Sequence, residues 1–511
     1  MTRHRVLPGL VLLLAACVSQ PESARSSLVE MTPQRVESFS PKALAEKLNT
    51  YPEGRWIVAE AGALKCGVDV YKYEYFTVDG RGNETTASAA LMIPTGASPV
   101  CSGPRPIVAG LHGTVTDQNY NLADFSGTNQ ASPRALAFAG TFASEGYIVV
   151  APNYAGFDSS RLDYHPYLNL DQQSKDVIDA LAAARRMLAT LKVPATDKLF
   201  LTGFSQGGTV TMATHRALQR AGMAPTASMP GSGAYPLVAI SDDIFRGRVV
   251  QGSTLYYPQS VRSFQEAYGD IYERPEDIFN PLYAAGAPAA FPTRETFPKL
   301  VESRKLPATA LFDKAPPRTP PGAPAGLQDI LTKGSPATDP TALAGTYALG
   351  FGADALLTNE YRLAYLQDVL AHPDGASPVF ADGEPPKRAD NTLRRALIRN
   401  DLRGWTPATP IVMCSGQDDP AVPYRLSTGL MMQYWTQGPM RPGPGIVSAI
   451  DFEAPPVAGE AYVDLRTKFA AERAGIIARE GHEAMIAAYH TQMLPKYCYT
   501  AARRYFDTLK E

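Results

Sequence analysis

The chain has 511 residues, 45% hydrophobic and 19% charged, with a formal net charge of −2. That is enough apolar material for a sizeable core, in one large domain with an insertion or in two domains. The near-neutral balance, without a Lys/Arg run or a Gly-rich phosphate loop followed by lysine, gives no footing for nucleic-acid binding. Cysteine and histidine do not cluster at metal-ligand spacing, so neither a metal nor an organic cofactor is expected.

At the N-terminus, Arg3 and Arg5 precede an apolar run from Leu7 to Ala16 that is too short to cross a bilayer. Residues 1–16 therefore read as a targeting segment outside the fold. The run ends Leu14-Ala15-Ala16-Cys17, which resembles the bacterial lipoprotein box. The resemblance implies cleavage before Cys17, lipidation of Cys17 and anchoring to the cell-envelope membrane. Val18, where an aspartate would signal otherwise, implies the outer membrane if the organism has one. The alternative is an ordinary secretory signal with a chance cysteine. Residues 17–40 are polar and read as a tether. Four cysteines follow: Cys66, Cys101, Cys414 and Cys498. An even number in an exported chain suggests two disulfides, and sequence order suggests Cys66–Cys101 and Cys414–Cys498 among three possible pairings.

Alternation at 70–76, a turn at 79–83 and a second strand near 86–93 read as a hairpin. The pattern then changes. Buried strands are expected at 106–111 and 147–152, with helices at 133–145 and 171–191, the latter carrying Val177, Leu181, Ala184 and Leu188 at helical spacing. A strand at 198–201 and a helix at 209–220 follow. Strands alternating with helices imply an α/β fold, a mostly parallel twisted sheet flanked by helices. Residues 41–236 form its first part. From 237 to 406 the rhythm is lost to a Pro-, Ala- and aromatic-rich stretch, read as a mostly helical cap. The rhythm returns over 407–511, with strands at 410–414 and 446–452 and helices at 424–435 and 496–509. Cap residues Phe264, Tyr268, Tyr272, Phe279 and Tyr283 either cover an acyl pocket or form the cap's own core, and the second is the simpler reading.

The chemistry centres on Gly203-Phe204-Ser205-Gln206-Gly207. A short apolar strand runs into Gly-x-Ser-x-Gly and directly into a helix, the setting in which a strained turn exposes a serine nucleophile. The same turn aims the backbone N–H of Gln206 at a developing oxyanion. The bland alternative is a glycine-rich turn with an ordinary serine. A serine hydroxyl needs a base and an acid that orients it, here expected in the order Ser…Asp…His. Asp419, in Asp419-Pro420-Ala421-Val422-Pro423, sits in a loop resembling the Asp-x-x-Val-Pro loop of esterases; Asp418 is the alternative. The base is His490 or His482. A Cys414–Cys498 bridge would bring the acid loop to the last helix and favour His490. Thr114, in Leu111-His112-Gly113-Thr114, is expected to supply the second oxyanion N–H, with His112 shaping the loop. The loops holding Tyr154 and 165–168 are either a substrate wall or aromatic packing.

These residues resemble the α/β-hydrolase superfamily and, within it, the secretory-lipase group of lipase A type. The points of similarity are the His-Gly-Thr loop at 112–114, Pro152-Asn153-Tyr154, His165-Pro166-Tyr167-Leu168, the elbow and the large insertion. The likeness spans roughly 80–505. It departs at Asn153, where relatives often carry aspartate, and in the long cap. The resemblance implies a serine hydrolase of carboxylic esters with a small-molecule or lipid ester as its partner. A secreted peptidase is the alternative, and a non-catalytic envelope protein a third reading.

Overall fold

The computed structural model describes residues 25–377 and 379–510. The expected targeting segment 1–16 and Cys17 lie outside the described residues. Eleven strands are present among the described residues: β1 (Gln34–Phe39), β2 (Gly67–Val78), β3 (Glu84–Thr95), β4 (Arg105–Leu111), β5 (Ile148–Pro152), β6 (Ala195–Phe204), β7 (Ala227–Gly231), β8 (Phe312–Asp313), β9 (Phe351–Gly352), β10 (Ile411–Ser415) and β11 (Val447–Asp451). Nine of them form one sheet in the order β1-β2-β3-β5-β4-β6-β7-β10-β11. The β1, β2 and β3 end is antiparallel, and the run from β5 to β11 is parallel.

The parallel strands are short apolar runs because helices cover both faces. β4, β5, β7 and β10 are buried throughout. Helices Leu170–Thr190, Gln206–Arg220 and Leu494–Asp507 supply the covering layers. Both disulfides suggested by sequence order are present. Cys66–Cys101 ties the start of β2 to the short helix before β4. Cys414–Cys498 ties β10 to the last helix.

Two local expectations are corrected, and one strand is present that was not expected. The segment expected to be a tether as far as residue 40 instead contributes β1, paired antiparallel to β2. Before it, Arg25 and Ser26 bond to Asp179. β1 is a largely exposed edge strand, so it carries no apolar alternation and has the composition of a linker. β7 (Ala-Ser-Met-Pro-Gly) was not expected, because its proline and glycine read as loop. The helix expected from 424 begins at Thr428, after a 3₁₀ turn at Tyr424–Leu426.

Between β7 and β10 the chain forms a layer of helices joined by long loops, and its apolar side chains share a buried cluster with Met212 of the elbow helix and Ile411 and Met413 of β10. Its longer helices are Leu237–Phe245, Ser253–Tyr268 and Asn359–Ala371, and β8 pairs with β9 beside them. Phe264, Phe279 and Tyr283 are buried in that cluster and Tyr268 and Tyr272 pack on it. Buried guanidinium groups cross-link the layer, among them Arg394 and Arg403. Arg394 forks onto Asp242 at 2.8 and 2.9 Å and reaches Asp368 at 3.0 Å. Arg403 bridges Asp374 and Asp401. Such pairs fix geometry more than they add stability, since desolvation offsets most of their attraction. Among the described residues no helix is long and apolar enough to cross a membrane.

Candidate active site

Ser205 occupies the turn between β6 and helix Gln206–Arg220, at φ 60° and ψ −122°. A side-chain-bearing residue rarely adopts this region, and the cost is sustained only where the surroundings hold it. Here the Ser205 N–H donates to the Gly231 carbonyl at 2.9 Å. Two glycines make the turn possible. A Cβ on Gly207 would lie 2.1 Å from the Leu111 carbonyl oxygen, and one on Gly203 would lie 2.5 Å from the Gly207 oxygen.

The structure brings His490 to this serine. His490 Nε2 is 2.8 Å from Ser205 Oγ. His490 Nδ1 is 2.8 Å from Asp419 Oδ2 and 2.9 Å from Oδ1. The histidine sits in a π-helical turn, Tyr489–Met493, between helices His482–Ala488 and Leu494–Asp507. Such bulges recur at functional sites because they redirect a side chain without ending the helix. Asp419 is fully buried. Its Oδ1 accepts from the Ala421 and Val422 N–H groups at 2.9 and 3.0 Å, and its Oδ2 from Ser232 Oγ at 2.9 Å. Every bond it makes is one a carboxylate oxygen accepts, so its orientation toward the imidazole is fixed from three sides.

The other candidates lie elsewhere. Asp418 pairs with Arg473 and makes no hydrogen bond to His490 among the described residues. His482 is exposed, with Nε2 3.3 Å from the Ala342 carbonyl oxygen. His112 is buried with Nδ1 at 2.7 Å from the Gly113 oxygen and Nε2 at 3.1 Å from the Asn153 oxygen. Burial lowers its pKa to about 4, which leaves it a neutral loop-shaping group.

The backbone N–H groups of Gln206 and Thr114 have no acceptor among the described residues. Gly113 packs against the elbow, since a Cβ there would lie 3.4 Å from Ser205 Cβ. The Thr114 hydroxyl bonds to Tyr167 OH at 2.9 Å. The Gln206 side chain donates from Nε2 to His165 Nε2 at 2.7 Å. His165 Nδ1 then donates to the Ala155 carbonyl, and burial holds the ring neutral with a pKa lowered to about 3. Asn153 donates to Ser88 Oγ and accepts from the Leu122 N–H. An aspartate there could not make the first of these bonds.

Two cavities meet at Ser205. One, of about 690 Å³, is walled by apolar side chains including Leu237, Ile240, Ile244, Val250, Leu393 and Leu397. The other, of about 840 Å³, is walled by Thr114, Tyr120, Gln130, Arg134, His490 and Tyr499, among others. Tyr256 borders both. The expected loops divide between two roles. Tyr154 and Phe157 pack around His112 and His165, whereas Tyr167 and Leu168 line the first cavity. Sequence reasoning missed Ser232, hidden by the unrecognised β7, and the helix Leu237–Phe245, whose apolar face reads like any packed helix.

In the cap, Asp368, His372 and Asp390 could together hold a metal ion by geometry. Asp368 is already engaged by Arg394 and His372, and His372 Nε2 faces Arg388 Nε at 2.8 Å. That donor set suits its cationic partners better than a metal.

Residues 137–224, from the helix before β5 to just past the elbow helix, match the model of the prolyl oligopeptidase family. No curated protein matches the chain. Among solved structures, a ligand-bound form of the rice cell wall degrading esterase LipA from Xanthomonas oryzae superposes with a TM-score of 0.66 at 23% identity, covering 95% of this chain and 100% of that one. A protein from Legionella pneumophila subsp. pneumophila superposes with a TM-score of 0.59 at 18% identity, covering 89% of this chain and 99% of the other. The fold is that of the α/β-hydrolases.

Proposed function

We propose that the protein is a serine hydrolase of carboxylic esters, with Ser205 as nucleophile, His490 as base and Asp419 as the acid that orients it. The observation that carries this reading is the unbroken relay from Ser205 Oγ through His490 to Asp419, each link at 2.8 Å. His490 takes the Ser205 proton as Oγ attacks the ester carbonyl. The free N–H groups of Gln206 and Thr114 receive the oxyanion. His490 then protonates the leaving alcohol, and water attacks the acyl-enzyme by the reverse path. The leaving oxygen must reach His490 Nε2, and His490 borders the second cavity rather than the first. The alcohol therefore belongs in the polar cavity and the acyl chain in the apolar one. The likeness of fold to an esterase, and the resemblance to the lipase A group, support the same assignment.

Hydrolysis of p-nitrophenyl esters from acetate to palmitate, with Ser205→Ala alongside, tests this reading. Absence of turnover on every ester would overturn it. A serine peptidase is the second reading, favoured by the match of 137–224 to the prolyl oligopeptidase family. Cleavage of peptide amides without cleavage of esters would establish it instead.

The acyl cavity yields a sharper expectation. Ile240 is buried on helix Leu237–Phe245 and lines it. Ile240→Trp fills space that three or four methylenes would use, at about 0.8 kcal/mol each. The ratio of kcat/KM for long over short acyl chains is expected to fall about 60- to 200-fold. An unchanged ladder would mean that the acyl chain lies elsewhere.

We further propose that the chain is exported and held at the envelope through a lipid on Cys17. Two disulfides support export, since such bonds persist in oxidising compartments. Cys17→Ala is expected to move the protein from the membrane pellet to the soluble fraction. A variant that still pellets would remove the lipid-anchor reading.

A further inference from the structure

The polar cavity beside His490 has a feature that ester hydrolysis alone does not require. Arg134 stands in the first turn of helix Ser132–Thr141 and lines that cavity together with Ser205. Its Nη1 donates to Glu53 Oε1 at 2.9 Å. Its Nε and Nη2 have no protein partner among the described residues, and neither is sealed from solvent. The side chain is about one-fifth exposed. The guanidinium carbon lies over the Tyr499 ring, 4.9 Å from its centroid, a cation–π contact that together with Glu53 restrains the group. The free edge is thus the Nε/Nη2 side, the pair of parallel donors that matches a carboxylate. Apart from His490, Arg134 is the only ionisable acid or base among the residues lining the cavity other than tyrosines, and no Asp or Glu borders it. Gln130 and Thr491 add polar groups, and Tyr120 and Tyr499 add aromatic walls.

We propose that Arg134 is a specificity residue, and that the preferred substrates are esters whose leaving alcohol carries a carboxylate. This rests on the assignment of the polar cavity to the alcohol. The carboxylate docks on the Nε/Nη2 edge while the ester oxygen lies near His490. Glu53 holds the opposite edge and so orients the fork. It also offsets part of the positive charge, which keeps the empty cavity from burying an uncompensated cation. A carboxylate-bearing alcohol gains charge-assisted hydrogen bonds in a partly desolvated site, and a neutral analogue leaves the fork to water. Bonds of this kind are worth roughly a 10- to 100-fold preference.

Two substrates of nearly the same shape test this: 4-butyryloxybenzoate and its methyl ester. The readout is the ratio of their kcat/KM values within each variant, so that differences in folded fraction cancel. Compared with the full-length wild-type protein, Arg134→Gln is expected to lower the anionic-to-neutral ratio at least tenfold. Arg134→Lys, which keeps the charge but not the parallel donors, is expected to fall between the two. Glu53→Gln, which frees the fork from its competing anion, is expected to raise the ratio. The same ratio in wild type and Arg134→Gln would overturn the proposal while leaving the hydrolase intact. Equal loss on both esters would make Arg134 a purely structural partner of Glu53 and overturn it as well. Turnover of neither ester by the wild type would overturn the hydrolase reading on which it rests.

Discussion

Ser205→Ala is expected to lower kcat for ester hydrolysis by about 10⁴- to 10⁶-fold with the fold retained. Alanine removes the oxygen that His490 Nε2 meets at 2.8 Å, and among the described residues no other hydroxyl bonds to that nitrogen. The elbow itself does not depend on the hydroxyl. It is held by the Ser205 N–H bond to Gly231 and by the close approach of Gly203 and Gly207 to neighbouring backbone, and these survive the substitution. The melting temperature is therefore expected to stay within a few degrees of wild type, because active-site residues are chosen for chemistry rather than stability. On the proposed assignment, the residual rate would come from the Gln206 and Thr114 N–H groups, which would still polarise a bound ester. Steady-state kinetics with thermal unfolding of the same sample check both halves. A variant that keeps more than a hundredth of the wild-type rate would remove Ser205 from the chemistry.

Asp419→Asn is expected to cost about 10⁴-fold, because it imposes the wrong tautomer. The geometry dictates how the amide must sit. Oδ1 accepts two backbone N–H bonds, from Ala421 and Val422, so the amide oxygen takes that position. The NH₂ group then replaces Oδ2 and points at His490 Nδ1 and Ser232 Oγ. A donor facing Nδ1 drives the imidazole proton to Nε2, where it can no longer accept the proton of Ser205. Asp418→Asn is expected to have a far smaller effect, since Asp418 is engaged with Arg473. Comparing kcat for the two variants, with nitrogen-15 chemical shifts of His490 reporting the tautomer, decides between the two acids. Equal losses would return the acid's identity to an open choice.

The legible parts of the chain were those where local chemistry and tertiary role coincide. A strand buried on both faces must be apolar throughout, so β4 and β5 stood out, and an elbow cannot be built without glycines at 203 and 207. The residues of the candidate relay were legible for related reasons. Ser205 lies in the elbow motif and Asp419 in a recognisable loop, but the choice between His482 and His490 leaned on a disulfide inferred from an even number of cysteines. Edge strand β1 and the proline-bearing β7 were not legible, because an exposed strand needs no alternation and a short buried one can tolerate a proline. Ser232 was lost with β7.

What the sequence determined by itself is what backbone sterics and burial dictate locally: an α/β core, a tight Gly-x-Ser-x-Gly turn between strand and helix, an even set of cysteines that pair, and a long interruption between that turn and the loop of Asp419. What only the tertiary structure decided is which distant groups meet. Of two nearby histidines, the π-turn aims His490 and leaves His482 at the surface. The conspicuous aromatics of 264–283 went to a buried cluster shared with β10, while unremarkable Leu and Ile residues from separate helices line the cavity at Ser205. Arg134, an ordinary first-turn arginine in sequence, acquired a cavity and a free donor edge only once Glu53 and Tyr499 were folded against it. Such convergence depends on the packing of segments up to several hundred residues apart, and no local pattern encodes it.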